Sequence, residues 1–187
     1  MVDKTQSKPT RLPGDRPWDE EVKRMIRVDH AGEYGAARIY SGQLAVLGNK
    51  HKSSPLIRHM KAQEDRHLEV FNRLVNERRV RPTLLSPFWH GAGFALGAAT
   101  ALMGEKAAMA CTAAVEEVID GHYAEQAEKL GDHEPELKQI VEEFRAEEQE
   151  HRDTAIEHGA EETPGYTLLS GAIKTGCKAA IWLAKRI

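Results

Sequence analysis

Between residues 57 and 74 the chain places Ile57, Met60, Glu64, His67, Phe71 and Leu74 at alternating steps of three and four. That spacing is the seam of a helix packed in a bundle, with each of these side chains turned towards the same neighbour. The seam is apolar except at Glu64 and His67, which stand where a core helix should bury hydrocarbon. A later stretch behaves alike: Leu137, Val141, Phe144 and Ala155 form the stripe, and Glu148 and His151 fill its gaps. A chain this rich in glutamate generates Glu-x-x-His by chance, and charged helical residues usually face water. The phase is what gives these pairs meaning, because both interrupt the face that has to be buried.

Two further helices carry the same anomaly with one carboxylate each. Ile26, Glu33, Tyr40 and Leu47 recur every seven residues, as do Met109, Glu116, Tyr123 and Leu130. The lone Glu precedes the paired Glu by 31 residues in the first half and by 32 in the second. The order therefore reads as a doubled helix-pair unit, folding about a pseudo-twofold axis. Four carboxylates and two imidazoles in one core cannot stay ionised unaided: each unpaired buried charge costs several kcal/mol or shifts its pKa until neutral. Two divalent cations cancel four carboxylates. Oxygen-rich sites with some imidazole suit iron or manganese better than thiolate-seeking metals. Four-helix bundles build dinuclear sites from one Glu on each of two helices and Glu-x-x-His on the other two. The predicted ligands are Glu33, Glu64, His67, Glu116, Glu148 and His151. In the run 147–150, Glu147 and Glu150 compete with Glu148 for the inward position, and Glu147 stands four residues before His151.

Turn signals at 49–55, 81–87, 131–135 and 162–165 divide the chain into helical stretches, and no stretch alternates as a strand would. The expectation is one all-α domain over residues 17–187. Residues 1–16 are expected to form a flexible tail, with no apolar core of a signal peptide. The net charge of −3, with 29% charged residues, supplies no bulk field for nucleic acid. Cys111 and Cys177 fit no Cys-x-x-Cys pattern and read as small buried apolar residues in a reducing compartment.

Two helices exceed what a plain bundle needs. Residues 82–104 carry no Asp, Glu, Lys or Arg, but their Ala and Gly content and two prolines argue against a membrane span. The spacing Gly93-x-x-x-Gly97 permits close helix packing. The last helix sets Leu169, Ile173, Cys177, Ala180 and Ala184 on one side, with Lys174, Lys178, Lys185 and Arg186 as its basic edge. Such a helix suits an anionic membrane surface.

The stretches RVDHAGEYGAARIY (27–40), QEDRHLEVF (63–71), AMACTAAVEEVIDGHYAEQ (108–126) and FRAEEQEHRD (144–153) closely resemble the demethoxyubiquinone hydroxylases of ubiquinone biosynthesis. The resemblance runs from about residue 18 to the C-terminus. The first and third stretches are specific, while Glu-x-x-His alone is shared by ferritin-like carboxylate proteins at large. The resemblance implies a ferritin-like four-helix bundle with two additional membrane-facing helices, and a di-iron centre held by the same six residues, bridged by Glu64 and Glu148. It implies a monooxygenase that uses O2 and reducing equivalents from NADH to replace a ring hydrogen of a polyprenyl methoxy-benzoquinol by hydroxyl. Tyr123 and His122 are then the catalytic residues, with the Tyr relaying electrons between quinone and metal. The protein is expected at the cytoplasmic face of a bacterial inner membrane, touching a lipid-binding partner of the ubiquinone-biosynthesis complex and no nucleic acid. Segments Phe88–Gly104 and Thr167–Ile187 should flank a channel ending near Glu33 and Glu116. Gly93 and Gly97 should lie against the prenyl tail, and Lys174, Lys178 and Lys185 should face lipid phosphates. The rivals are an iron oxidase or storage protein of ferritin type and a metal-free helical adaptor.

Overall fold

The computed structural model describes residues 14 and 16–187, so the expected tail lies almost wholly outside the described residues. Among the described residues the chain is helical throughout: α1 (Trp18–Leu47), α2 (Ser54–Glu77), α3 (Ser86–Leu102), α4 (Glu105–Leu130), α5 (Pro135–Glu157), a 3₁₀ turn (Ala160–Glu162) and α6 (Tyr166–Ala184). Asp19, Glu20 and Glu21 fill the first turn of α1, where the helix dipole favours acids. Pro55 and Pro135 open α2 and α5, where the missing N–H costs nothing. Gly48 (φ 72°) and Gly131 (φ 51°) stop α1 and α4 in a backbone region that side chains with a Cβ avoid.

Those two glycines are 83 residues apart, and so are Glu33 and Glu116, Tyr40 and Tyr123, and Gln43 and Gln126. The duplication read in the sequence thus reaches the helix ends. Helices α1, α2, α4 and α5 form the bundle, α3 lies along α1, and α6 packs on α4. One apolar cluster, with Ile26, Phe71, Leu130, Val141 and Phe144, closes one end of the bundle. A second, with Tyr40, Ile57, Met60, Met109 and Ala155, closes the other. The charged seam positions lie between them.

The α1–α3 contact is made by missing side chains. A Cβ on Gly97 would stand 1.9 Å from the Ile39 carbonyl oxygen, and one on Gly42 would stand 2.1 Å from that of Phe94. Gly97 therefore meets the backbone of α1 rather than a prenyl tail, which corrects one expectation and supports the close-packing reading of its spacing. Among the described residues, no helix is long and apolar enough to cross a membrane.

Candidate metal centre

Glu33, Glu64, His67, Glu116, Glu148 and His151 are all buried. They gather into two overlapping sets, Glu33–Glu64–His67–Glu148 and Glu64–Glu116–Glu148–His151, in each of which the donor atoms lie within 4.8 Å of one another. Glu64 and Glu148 belong to both sets. Glu148, not Glu147 or Glu150, takes the inward place on α5. Donors about 2.1 Å from an octahedral cation stand roughly 3.0 Å apart when adjacent and 4.2 Å when opposite. His67 Nδ1 lies 3.1 Å from Glu33 and 3.2 Å from Glu148. His151 Nδ1 lies 3.2 Å from Glu64 and 3.4 Å from Glu148. These spacings fit a divalent cation in each set.

The polar atoms point to the same fit. Both oxygens of Glu64 and of Glu148, Oε2 of Glu116 and Nδ1 of His151 are buried without a hydrogen-bond partner. Native interiors rarely leave such groups unpaired. Burial raises the carboxyl pKa of Glu33, Glu64 and Glu116, with repulsion from neighbouring carboxylates adding to the effect. Burial pushes Glu148 the same way, but the imidazoles of His151 and His67 beside it win and hold it down at about 2. Burial likewise opposes the charge on His67, yet the close carboxylates of Glu148 and Glu33 lift it to about 11. Without metal, the protein compensates its carboxylates with protons and imidazolium.

The repeated Glu–Tyr spacing now has a purpose. Tyr123 Oη donates to Glu33, and Tyr40 Oη donates to Glu116 at 2.8 Å. Each tyrosine braces the glutamate of the opposite half, as antiparallel α1 and α4 require. Burial first, and then the facing carboxylate, raises both phenol pKa values well above the ordinary one. His122, the other predicted catalytic residue, stands outside the ligand cluster: its Nε2 lies 3.2 Å from Asp29 Oδ1. Asp29 is itself buried and also receives Gln126 Nε2 at 2.7 Å. Asp29 went unpredicted although it lies four residues before Glu33 on the same face. Gln63 and Glu147, which reach the outer nitrogens of His151 and His67, were equally unforeseen as partners.

Beside this polar core runs an apolar groove of about 580 Å³ between α3 and α6. Its floor is α1 and α4, through Gly32, Ala36, Val115 and Ile119; Trp89, Leu96, Ile173 and Cys177 are among its walls. Gly32 and Val115 directly precede Glu33 and Glu116 in the chain. The basic edge of α6 differs from expectation. Lys174 donates to Glu117 Oε2 at 2.6 Å, and Lys185 turns into a small cleft with His122 and Glu125. Lys178 alone of those three lysines is exposed.

A sequence profile described as Ubiquinone biosynthesis protein COQ7 matches residues 20–184. Over 177 residues the chain is 58% identical to the 3-demethoxyubiquinol 3-hydroxylase of Rhodospirillum rubrum, an alignment covering 95% of this chain and 84% of that one. It is 54% identical over 172 residues to the NADPH-dependent 3-demethoxyubiquinone 3-hydroxylase, mitochondrial, of Bos taurus, covering 90% and 79%. With the 5-demethoxyubiquinone hydroxylase, mitochondrial, of Saccharomyces cerevisiae it shares 44% identity over 182 residues, covering 89% and 78%. The profile covers all six helices nearly end to end, and the chain belongs to the Ubiquinone biosynthesis protein COQ7 family.

Proposed function

We propose that this chain is a demethoxyubiquinone hydroxylase whose buried carboxylate–imidazole cluster holds two iron ions. Glu33 and His67 would hold one ion and Glu116 and His151 the other, with Glu64 and Glu148, common to both ligand sets, available to each. The observation that carries this reading is the pair of overlapping ligand sets, with orphaned oxygens, placed against an apolar groove. Iron bound there supplies the activation of O2 that insertion of oxygen into a ring C–H bond requires. The balance is one ring C–H, one O2, two electrons and two protons in, and one ring C–OH and one water out.

The chain's own part is positioning. The groove holds the methoxy-benzoquinol with its polyprenyl tail between α3 and α6 and keeps water from the ring. Tyr123 keeps its phenolic proton at neutral pH and presents it to Glu33, so the relay proposed for this residue ends on a ligand. His122 approaches the same region through Asp29. The electrons come from a dihydronicotinamide: NADH is the donor implied by the resemblance, and NADPH is the one in the bovine relative's name. Both offer the same reducing ring.

The reading places the protein on a membrane surface, at the cytoplasmic face of a bacterial inner membrane, and the exposed apolar residues on the helices flanking the groove support the membrane contact. Phe88 on α3 is 61% exposed, and Leu168 and Trp182 on α6 are 82% and 54% exposed. A lipid-binding partner of the ubiquinone-biosynthesis complex would cover this same face. The experiment is anaerobic loading with Fe(II), then addition of labelled O2, demethoxyubiquinol and NADH or NADPH. One labelled oxygen in the hydroxylated ring is expected. O2 consumption that ignores the quinol would instead identify a ferritin-type iron oxidase.

A further inference from the structure

Behind the metal pocket a hydrogen-bonded strap joins the two imidazoles on the side away from the proposed ions. His67 Nε2 lies 3.0 Å from Glu147 Oε2. His151 Nε2 lies 3.1 Å from Gln63 Oε1. The Gln63 amide nitrogen donates to the same Glu147 oxygen at 3.1 Å, and Arg66 pairs with the other oxygen of Glu147. Gln63 and Glu147 each precede a seam glutamate, so they occupy equivalent places in the two halves of the duplication.

The direction of every proton in this strap follows from one group. A carboxylate that already receives a guanidinium has only lone pairs to offer. The Gln63 NH₂ must therefore face Glu147, and its carbonyl must face His151. With metal bound, both imidazoles would then carry their single proton on Nε2 and offer the Nδ1 lone pair to the pocket. The two halves also differ in kind. His67 donates to an anion and His151 to a neutral amide, and an imidazole whose N–H meets a carboxylate is the more basic metal ligand.

We propose that Glu147 fixes the tautomer of both histidines, directly for His67 and through Gln63 for His151, and thereby makes the two metal positions unequal, the His67 position binding more tightly. Glu147 and Gln63 are positioning residues: neither belongs to either ligand set. The inference rests on the dinuclear reading above and deepens it.

The test is titration of the metal-free protein with Co(II), followed by proton spectra of the loaded form, in which the exchangeable N–H of each ligating imidazole is strongly shifted. The parent should take up Co(II) in two resolved steps and show two such signals. Glu147→Gln should move both signals and weaken the tighter step roughly 10–100-fold, the range found when partners behind a metal ligand are lost. Gln63→Leu should move the His151 signal and leave that of His67 in place, with helicity by circular dichroism unchanged in both variants. Two equal Co(II) steps in the parent, or a His151 signal unmoved by Glu147→Gln, would overturn the inference while leaving the dinuclear site standing. A parent that binds no pair of Co(II) ions would instead remove the dinuclear reading itself.

Discussion

Helices α1 and α4 are walls of two very different spaces. On one side Glu33 and Glu116 meet the other carboxylates and imidazoles, and cross-helix partners such as Tyr123 and Tyr40 fix them in direction. On the other side Gly32, Ala36, Val115 and Ile119 line a groove whose surroundings are almost wholly apolar. The first space is specified by hydrogen bonds, which are directional and intolerant of small errors. The second is specified by shape and hydrophobicity, which sum over area and discriminate weakly between homologous chains. The chemistry is therefore set in the core, while the groove has to accept a long hydrocarbon and bring one end of it close.

The division of labour can be broken most severely at Glu148. Glu148→Gln removes one of the two carboxylates common to both ligand sets, and hydroxylation should fall by more than the roughly 100-fold that more distant changes cost metal sites. Iron should drop well below two ions per chain by elemental analysis while the helical spectrum persists. Full iron content in this variant would remove Glu148 from the site. Next in size is Gly97→Leu, which drives a side chain into the Ile39 carbonyl. Overpacking of this kind costs about 3 kcal/mol, read as a lower urea midpoint. Iron content should survive, because α3 contributes no ligand.

Gly32→Leu separates the two spaces more finely. A Cβ there meets nothing within 4 Å, and the residue lines the groove. The KM for a long-tailed quinol should rise roughly tenfold with kcat and iron content little changed, the mark of lost uniform binding. An unchanged KM would place the tail elsewhere.

The smallest effect is in the pH dependence of stability. In the metal-free protein, raised carboxyl pKa values at Glu33, Glu64 and Glu116 mean that acid relieves a folded-state penalty. His67 acts in the same sense: its stabilising charge is complete below 6.5 and lost as pH rises towards about 11. Glu148, held at about 2, opposes them only as pH falls below 4.5. The melting temperature without metal should thus climb by roughly 5 °C from about pH 9 to pH 6.5. The iron-loaded protein should slope the other way, since protons compete with the metal for its ligands. Parallel slopes in calorimetry would contradict the ligand assignment.

The seam positions were legible because a charge at a core position breaks a periodic pattern that the neighbouring residues establish. Asp29 breaks it too, but a seven-residue step from Ile26 to Glu33 passes over it. Gln63 and Glu147 were harder to read. They lie one residue off the seam, where Gln and Glu are ordinary surface residues, and only the facing helix turns them into partners of His151 and His67. The lysines of α6 fail for the same reason: periodicity assigns Lys174 and Lys185 to a basic edge but cannot show Glu117 or the His122 cleft opposite. The helix ends, by contrast, are written locally in glycines, prolines and turn residues: the breaks at 49–55, 81–87 and 131–135 overlap observed ones, whereas α5 already ends at Glu157 and the α3–α4 break after Leu102 is not among the turn signals.

One wall of the groove carries a consequence for chemical durability. The oxidised quinone forms of such substrates are electrophiles that thiolates attack, and Cys177 lies along the groove proposed for the quinol ring and tail. The reactive species is the thiolate, and burial lifts the pKa of this thiol to about 11. At neutral pH such a thiol stays protonated, more completely than an ordinary cysteine. The same apolar lining that suits a hydrocarbon tail therefore also holds this thiol in its unreactive form.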